Sequence, residues 1–298
     1  MSTPLRFVIV PKVAHPWYLE VCAGAREQAA ALGRALGVEV AVDYAPPSIC
    51  DAAEQNAILD RLAENRPSGV AIDPVDTVDH MAAINRLRNA GIPVVLFDSP
   101  SPDPSITSVG NDFARQGTIA AERLVALIGS TGKVAVMQGF PSAPNHRARY
   151  EAQLAVLRRH AGIRVVDGGT DNDDIETARR QAAAVLAAHP DLTGYLCCDA
   201  SGPIGIAAAI RDAGKAGKVT AGQIKFVGID GIRPILEAVK EGVIDSSSST
   251  IPRLQGSMSI LMLWQASIGL RTPQSIDTGI DLITQDNVDR FLAEAATH

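Results

Sequence analysis

Carboxylates stand at the ends of short apolar runs in this chain, and the runs come in matched sets. Gly69-Val-Ala-Ile-Asp73 leads through an Asn89-Ala-Gly91 break to Val94-Val-Leu-Phe-Asp98, and Gly194-Tyr-Leu-Cys-Cys-Asp199 leads through Asp212-Ala-Gly214 to Phe226-Val-Gly-Ile-Asp230. An ionised aspartate is acceptor-only, and its charge-assisted hydrogen bonds are about twice as strong as neutral ones, so these ends suit the capture of hydroxyl donors. Arg149 offers the complementary chemistry, five donors on a rigid guanidinium, with Arg147 as its nearest competitor. Lys12 adds a second cation, His15 an imidazole able both to donate and to accept, and Trp17 and Tyr18 flat apolar faces in a chain that is only 4% aromatic. Three such carboxylates facing one guanidinium would fit a neutral, hydroxyl-rich molecule better than a carboxylated one, which three acids would repel.

Signatures of catalysis are missing. Gly129-Ser-Thr-Gly-Lys133 lacks the earlier glycine and the following Ser/Thr of a phosphate loop, and no GxGxxG follows the first strand. Asp199-Ala-Ser-Gly202 is not a nucleophile elbow. The four cysteines include no CxxC pair and no His/Cys spacing for a metal. No enzyme, cofactor or metal centre is expected. Cys197 and Cys198 read as small core residues, whereas Cys22 and Cys50 fall near one sheet edge, where a disulfide would indicate an oxidising compartment.

The elements that must position these groups alternate. Strands are expected at 5–10, 38–43, 69–73 and 93–98, with helices at 17–35, 50–65 and 77–90 between them. After a Pro/Ser-rich loop, Ser99 to Ser105, the alternation restarts with helices at 112–129, 146–160, 174–188 and 202–213 and strands at 133–138, 163–167, 194–198 and 225–229. Alternation of this kind builds a parallel sheet covered on both faces, with ligands beyond the carboxyl ends of its strands. A helix at 232–240, a polar strand at 243–250 and a helix at 251–270 complete the pattern. The last of these is expected to bury Leu254, Met258, Leu261, Met262 and Trp264.

A chain of 298 residues exceeds the size at which single cores stop growing, so two α/β lobes are the natural division. A net charge of −6 without clusters of Lys and Arg argues against nucleic acid as a partner. No window approaches the roughly 20 apolar residues of a membrane span. The start at Met1-Ser-Thr-Pro-Leu-Arg-Phe7 lacks the features of a signal peptide. The chain is therefore expected either to be cytoplasmic or to have had an export signal replaced by a start methionine.

The order and spacing of several segments resemble the periplasmic solute-binding proteins of sugar ABC transporters, in the ribose-binding-like type I group that includes receptors for rhamnose and autoinducer-2. They are Val8-Ile-Val-Pro-Lys-Val-Ala-His-Pro-Trp-Tyr18, Gly91-Ile-Pro-Val-Val-Leu-Phe-Asp-Ser99, Val109-Gly-Asn-Asp112 with Gly117, Arg149 opening a helix, and Val227-Gly-Ile-Asp-Gly231. The resemblance implies two doubly wound parallel-sheet lobes joined by a three-segment hinge, one of 1–110 and 251–278, the other of 111–250 and 279–298. It implies a monomeric periplasmic receptor that closes on a sugar or polyol and delivers it to a membrane permease. The ligand set it implies is Lys12, His15, Trp17, Tyr18, Asp98, Ser99, Arg149, Asn172, Asp199, Asp230 and Thr250. Ser99 stands where ribose receptors carry Arg, Asn172 where they carry an aromatic, Thr250 where they carry Gln, and Asp199 where many relatives carry Asn. Asp73 is left outside the set, because the resemblance puts its loop at the cleft rim. The effector domain of a LacI-type regulator is the second reading; that class requires a DNA-binding segment ahead of the first strand.

Overall fold

The computed structural model describes residues 4–296. In chain order the elements are β1 (Leu5–Val10), α1 (Pro16–Leu36), β2 (Val40–Tyr44), α2 (Ala52–Asn65), β3 (Gly69–Ile72), α3 (Thr77–Asn89), β4 (Val94–Phe97) and β5 (Ser108–Gly110). They continue with α4 (Phe113–Ile128), β6 (Thr131–Gln138), α5 (Pro144–Leu157), β7 (Gly162–Thr170), α6 (Ile175–Ala188), β8 (Gly194–Leu196) and α7 (Ser201–Lys215). The remainder is β9 (Lys225–Ile229), α8 (Arg233–Lys240), β10 (Ser246–Ser249), α9 (Pro252–Ser267), β11 (Ser275–Asp277), β12 (Asp281–Thr284) and α10 (Val288–Ala296).

The chain divides into two compact units, one running up to Asn111 and including Ile251–Gly279, the other comprising Asp112–Thr250 and the chain from Ile280 onward. The first holds a six-stranded sheet in the order β11-β5-β4-β3-β1-β2, and the second one in the order β12-β10-β9-β8-β6-β7. Set side by side, β2-β1-β3-β4-β5 and β7-β6-β8-β9-β10 are the same doubly wound order used twice. The two α/β lobes with parallel sheets expected from the alternation are thus present. The paired segments ending in aspartate are β3-α3-β4 and β8-α7-β9, in equivalent places in the two sheets. β12 runs antiparallel to β10, the one departure from parallel pairing among the described strands. No strand was expected at β11 or β12, which are three and four residues long, nor a helix at α10.

Strands buried on both faces need unbroken apolar runs. Phe7 to Val10, Val70 to Ile72 and Val94 to Phe97 meet that need and are buried. Each such Val, Ile, Leu or Phe stabilises the fold by about 1.5–3 kcal/mol relative to exposure. Aspartates start several helices by accepting a backbone N–H in the first turn: Asp51 from Glu54, Asp112 from Arg115 and Asp174 from Thr177.

The buried face of α9 differs from the expected one. Gln255, Gly256, Ser259, Ile260, Met262 and Leu263 point inward and Leu254 is exposed. The reason is a close helix crossing: a Cβ on Gly256 would lie 1.9 Å from the Val21 carbonyl oxygen of α1, and one on Gly24 would lie 1.9 Å from the Arg253 oxygen of α9. Small residues rather than large apolar ones define that contact, so apolar spacing, which finds the buried Met262 but also the exposed Leu254, does not locate it. Arg253 secures it from outside through Glu20 at 2.8 Å and Glu27 at 2.5 Å. Gly256→Ala is expected to cost about 2–3 kcal/mol, because backbone must shift to admit the methyl. Urea unfolding with a lowered midpoint and unchanged slope is the check.

No disulfide joins Cys22 and Cys50; both are thiols in the structure. No helix among the described residues is long and apolar enough to cross a membrane.

Candidate functional site

In both sheets the strand order reverses beside the first strand of the unit, between β1 and β3 in one and between β6 and β8 in the other. The carboxyl ends of strands at such a reversal are where open α/β sheets hold ligands. Lys12 and Asp73 occupy this place in the first unit, and Gly139 and Asp199 in the second.

In the first unit Lys12 Nζ lies 2.9 Å from Asp73 Oδ2, with side-chain exposures of 1% and 0%. Tyr18 donates its hydroxyl to the same oxygen at 2.8 Å, and Ser99 donates to Asp73 Oδ1 at 2.7 Å. Gln55 ties the two strand ends together, donating to the carbonyls of Pro11 and Asp73 and accepting from the Val75 amide. Burial pushes the Asp73 carboxyl up to about 6, with Lys12 pulling in the opposite direction. Asp73 is a fully buried hub that holds three residues of the expected ligand set, a role the sequence reading did not give it.

Asp98 follows β4 with a left-handed backbone, φ 47°, and is buried. Gln255 of α9 donates to its Oδ1 at 3.1 Å and to Asn111 Oδ1 at 3.0 Å. Gln255 had no sequence signal, because it sits inside an otherwise apolar helix. His15 starts α1: its Nδ1 accepts the Trp17 amide at 3.1 Å. Trp17 meets Tyr18 edge-to-face at 5.1 Å, and Tyr18 meets Phe97 likewise at 6.1 Å. The Tyr18 hydroxyl is engaged by Asp73, whereas the buried Trp17 Nε1 has no hydrogen-bond partner among the described residues.

In the second unit Arg149 is 1% exposed. Its Nε donates to Gln116 Oε1 at 2.7 Å, one terminal nitrogen donates to the Cys198 carbonyl at 3.2 Å, and the guanidinium carbon lies 4.8 Å from the centre of the Phe113 ring. Gln116 is itself held by the Ser248 carbonyl at 2.8 Å. The helix carrying Arg149 approaches α4 at Gly117, where a Cβ would lie 2.4 Å from the Arg149 carbonyl oxygen. Arg147 is exposed and donates to the Pro141 carbonyl.

Asp230 follows β9 with φ 68° and accepts the Thr250 hydroxyl at 2.7 Å. Asp98 and Asp230 are thus matched in strand position and in left-handed backbone, a conformation that Asp and Asn adopt more readily than other non-glycine residues. Asn172 shares that backbone, φ 55°, and is exposed. Asp199 is buried beside Asp171, a residue the expected set lacked. His146 Nδ1 is 4.0 Å from Asp199 Oδ2, and with Asp173 these groups bring one ligating atom each within 4.8 Å of one another. Nδ1 already accepts the Phe140 amide at 2.9 Å, so this lone pair is in use and we assign no metal here. Burial raises the thiols of Cys197 and Cys198, which stay neutral in the core.

The sequence profile described as "Periplasmic binding protein domain" matches residues 7–270. The chain is 27% identical over 238 residues to a xylose/arabinose-binding protein of Sulfolobus acidocaldarius, a match covering 76% of this chain and 58% of that protein. It is 26% identical to a D-ribose/D-allose-binding protein of Pseudomonas aeruginosa, covering 78% and 75%. Among solved structures, an ABC transporter solute-binding protein of Burkholderia graminis in complex with D-arabinose superposes with a TM-score of 0.88 at 25% identity, covering 96% of this chain and 98% of the other.

Proposed function

The chain belongs to the periplasmic binding protein domain family, and from that premise we propose that it is the solute receptor of an ABC importer whose ligand is a neutral sugar or polyol. One observation carries this reading: each unit presents, at equivalent strand ends, a buried left-handed aspartate together with a buried cation of its own, Asp98 with Lys12 and Asp230 with Arg149. Paired hydroxyls donate to such carboxylates and accept from such cations, whereas a carboxylated ligand meets an excess of acid. Asp98 and Asp230 accept, Arg149 donates, and Trp17 supplies the face on which a sugar ring stacks. His15, Tyr18, Ser99, Asn172, Asp199 and Thr250 complete the polar lining.

The relatives' names support the ligand class, since they bind pentoses and hexoses. They also favour a transport receptor over the effector domain of a regulator, and over an enzyme. The chain passes between its units at 111–112, 250–251 and 279–280, the segments where a hinge would act. The partner is a membrane permease, the working compartment the periplasm, and the receptor acts as a monomer without nucleic acid.

A thermal-shift panel of D-ribose, D-allose, D-arabinose, D-xylose, L-rhamnose, D-tagatose, xylitol and myo-inositol at millimolar concentration tests the reading. A ligand at 100 times its Kd contributes about 2.7 kcal/mol, which corresponds to a rise in Tm of roughly 4 °C for a chain of this length. A panel without any shift would sink the proposal.

A further inference from the structure

Asp171, after β7, and Asp199, after β8, are 0% and 2% exposed. Each uses Oδ1 on a backbone amide: Asp171 accepts from Asp173 at 2.9 Å and Asp199 from Gly202 at 2.8 Å. Each leaves Oδ2 buried without a hydrogen-bond partner. The loop after β6 covers the Asp199 oxygen so closely that a Cβ on Gly139 would lie 2.5 Å from it. Two acceptor oxygens cannot satisfy each other. Their side chains are nevertheless within hydrogen-bonding reach, and buried polar atoms left unpaired cost about 1–3 kcal/mol each. A single proton between them removes both deficits.

We propose that Asp171 is a positioning residue for Asp199: the two carboxyls share one proton through their Oδ2 atoms, and ligand binding depends on that proton. The ligand half of this inference rests on the receptor reading above. Within the pair the acid donates and the carboxylate accepts, as an amide at position 199 would donate to Asp171. Loss of the proton leaves two buried anions side by side, so affinity falls as pH rises past the titration of the pair.

The surroundings agree. Burial, then the charge of Asp173, pushes Asp199 up to about 6, and burial, then the charge of Asp199, raises Asp171 above the ordinary carboxylate range. From α5, His146 faces Asp199 at 4.0 Å and Arg149 lowers its pKa as a lesser effect. From β8 and the residues after it, Tyr195, Cys197 and Cys198 are all raised by burial and stay neutral. Arg149 is the arginine that acts on the pair, and it also donates to Gln116 and to the carbonyl of Cys198, the residue before Asp199.

Infrared difference spectroscopy of the ligand-free protein at pH 7 tests the shared proton without reference to any sugar. A carboxylic-acid carbonyl band is expected in the wild type and absent in both Asp171→Asn and Asp199→Asn, with circular dichroism confirming that both variants fold. Calorimetry with D-allose and D-arabinose as probes between pH 5.5 and 9 tests the coupling. Wild-type affinity is expected to weaken at least tenfold across that range, whereas Asp199→Asn, whose amide donor does not titrate, gives a flat profile. No band, a band unchanged in both variants, or parallel pH profiles for wild type and Asp199→Asn would overturn the proposal. So would a band that calcium or magnesium chloride abolishes, since a metal ion would then be the neutralising partner. A band present with no panel sugar bound would instead refute the receptor reading while the shared proton stood.

Discussion

Replacing Asp98 with alanine is expected to abolish the sugar-induced rise in Tm while leaving the ligand-free protein folded. Hydrogen bonds to a charged group contribute about 1.5–3 kcal/mol each, so a carboxylate that accepts two ligand hydroxyls accounts for roughly 100-fold or more in affinity. The structural loss is smaller. Gln255, which donates to Asp98, also donates to Asn111 and keeps that bond. Asp98→Asn tolerates the same backbone and is the control for charge, and Asp98→Gly is the control for backbone strain. Calorimetry with a panel sugar and melting of the ligand-free variants separate the two effects. An alanine variant that retained the full thermal shift would remove Asp98 from the site.

The second large effect is expected at the buried ion pair. Lys12→Met removes the cation held against Asp73 and Asp73→Asn removes the charge of that partner, and breaking a buried pair from one side costs about 3–5 kcal/mol. The double variant is expected to lose less than the sum, with a coupling of about 1–3 kcal/mol measurable in a urea-unfolding cycle. The pH dependence follows from the direction of the Asp73 shift. Its folded pKa is raised above the unfolded value and Lys12 holds it down, so removing Lys12 raises it further. Between the unfolded and folded pKa values the native state keeps a proton that the unfolded chain releases. The stability of Lys12→Met should therefore be greatest below about pH 4 and fall as pH rises through the folded pKa. Additive losses across the cycle, or a Lys12→Met variant indifferent to pH, would show that the contact contributes nothing to stability.

The fold was legible because its signals are local. Short apolar runs such as Val94 to Phe97 and Phe226 to Ile229 mark strands covered on both faces, and helices between them keep their period. Asp98 and Asp230 were legible as strand-terminal carboxylates for the same reason. The hub role of Asp73 and the pairing of Asp171 were not, because their environments come from distant chain. The partners of Asp73 are Lys12, Tyr18 and Ser99, and the neighbour of Asp171 is Asp199. For Asp73 the strand order is the cause: a reversal beside the first strand brings the ends of the nonconsecutive β1 and β3 together. Asp171 and Asp199 follow β7 and β8, which are consecutive in the chain but lie on either side of β6, and sequence spacing carries no record of either placement. Gln255 and the packing face of α9 were obscured by a different cause, a crossing made close by Gly24 and Gly256, where the absence of a side chain is the signal.

The left-handed backbone at Asp98 and Asp230 limits how this receptor can be retuned. A β-branched or bulky residue at either position must distort the strand end, so the exchanges open to drift there are confined largely to Asn and Gly. Variation toward another ligand has an easier route through neighbours with ordinary backbone outside the buried ion pair, among them Ser99 and Thr250. A library that holds the two aspartates fixed and varies those neighbours should therefore yield far more folded, binding-competent members than one randomised at the aspartates.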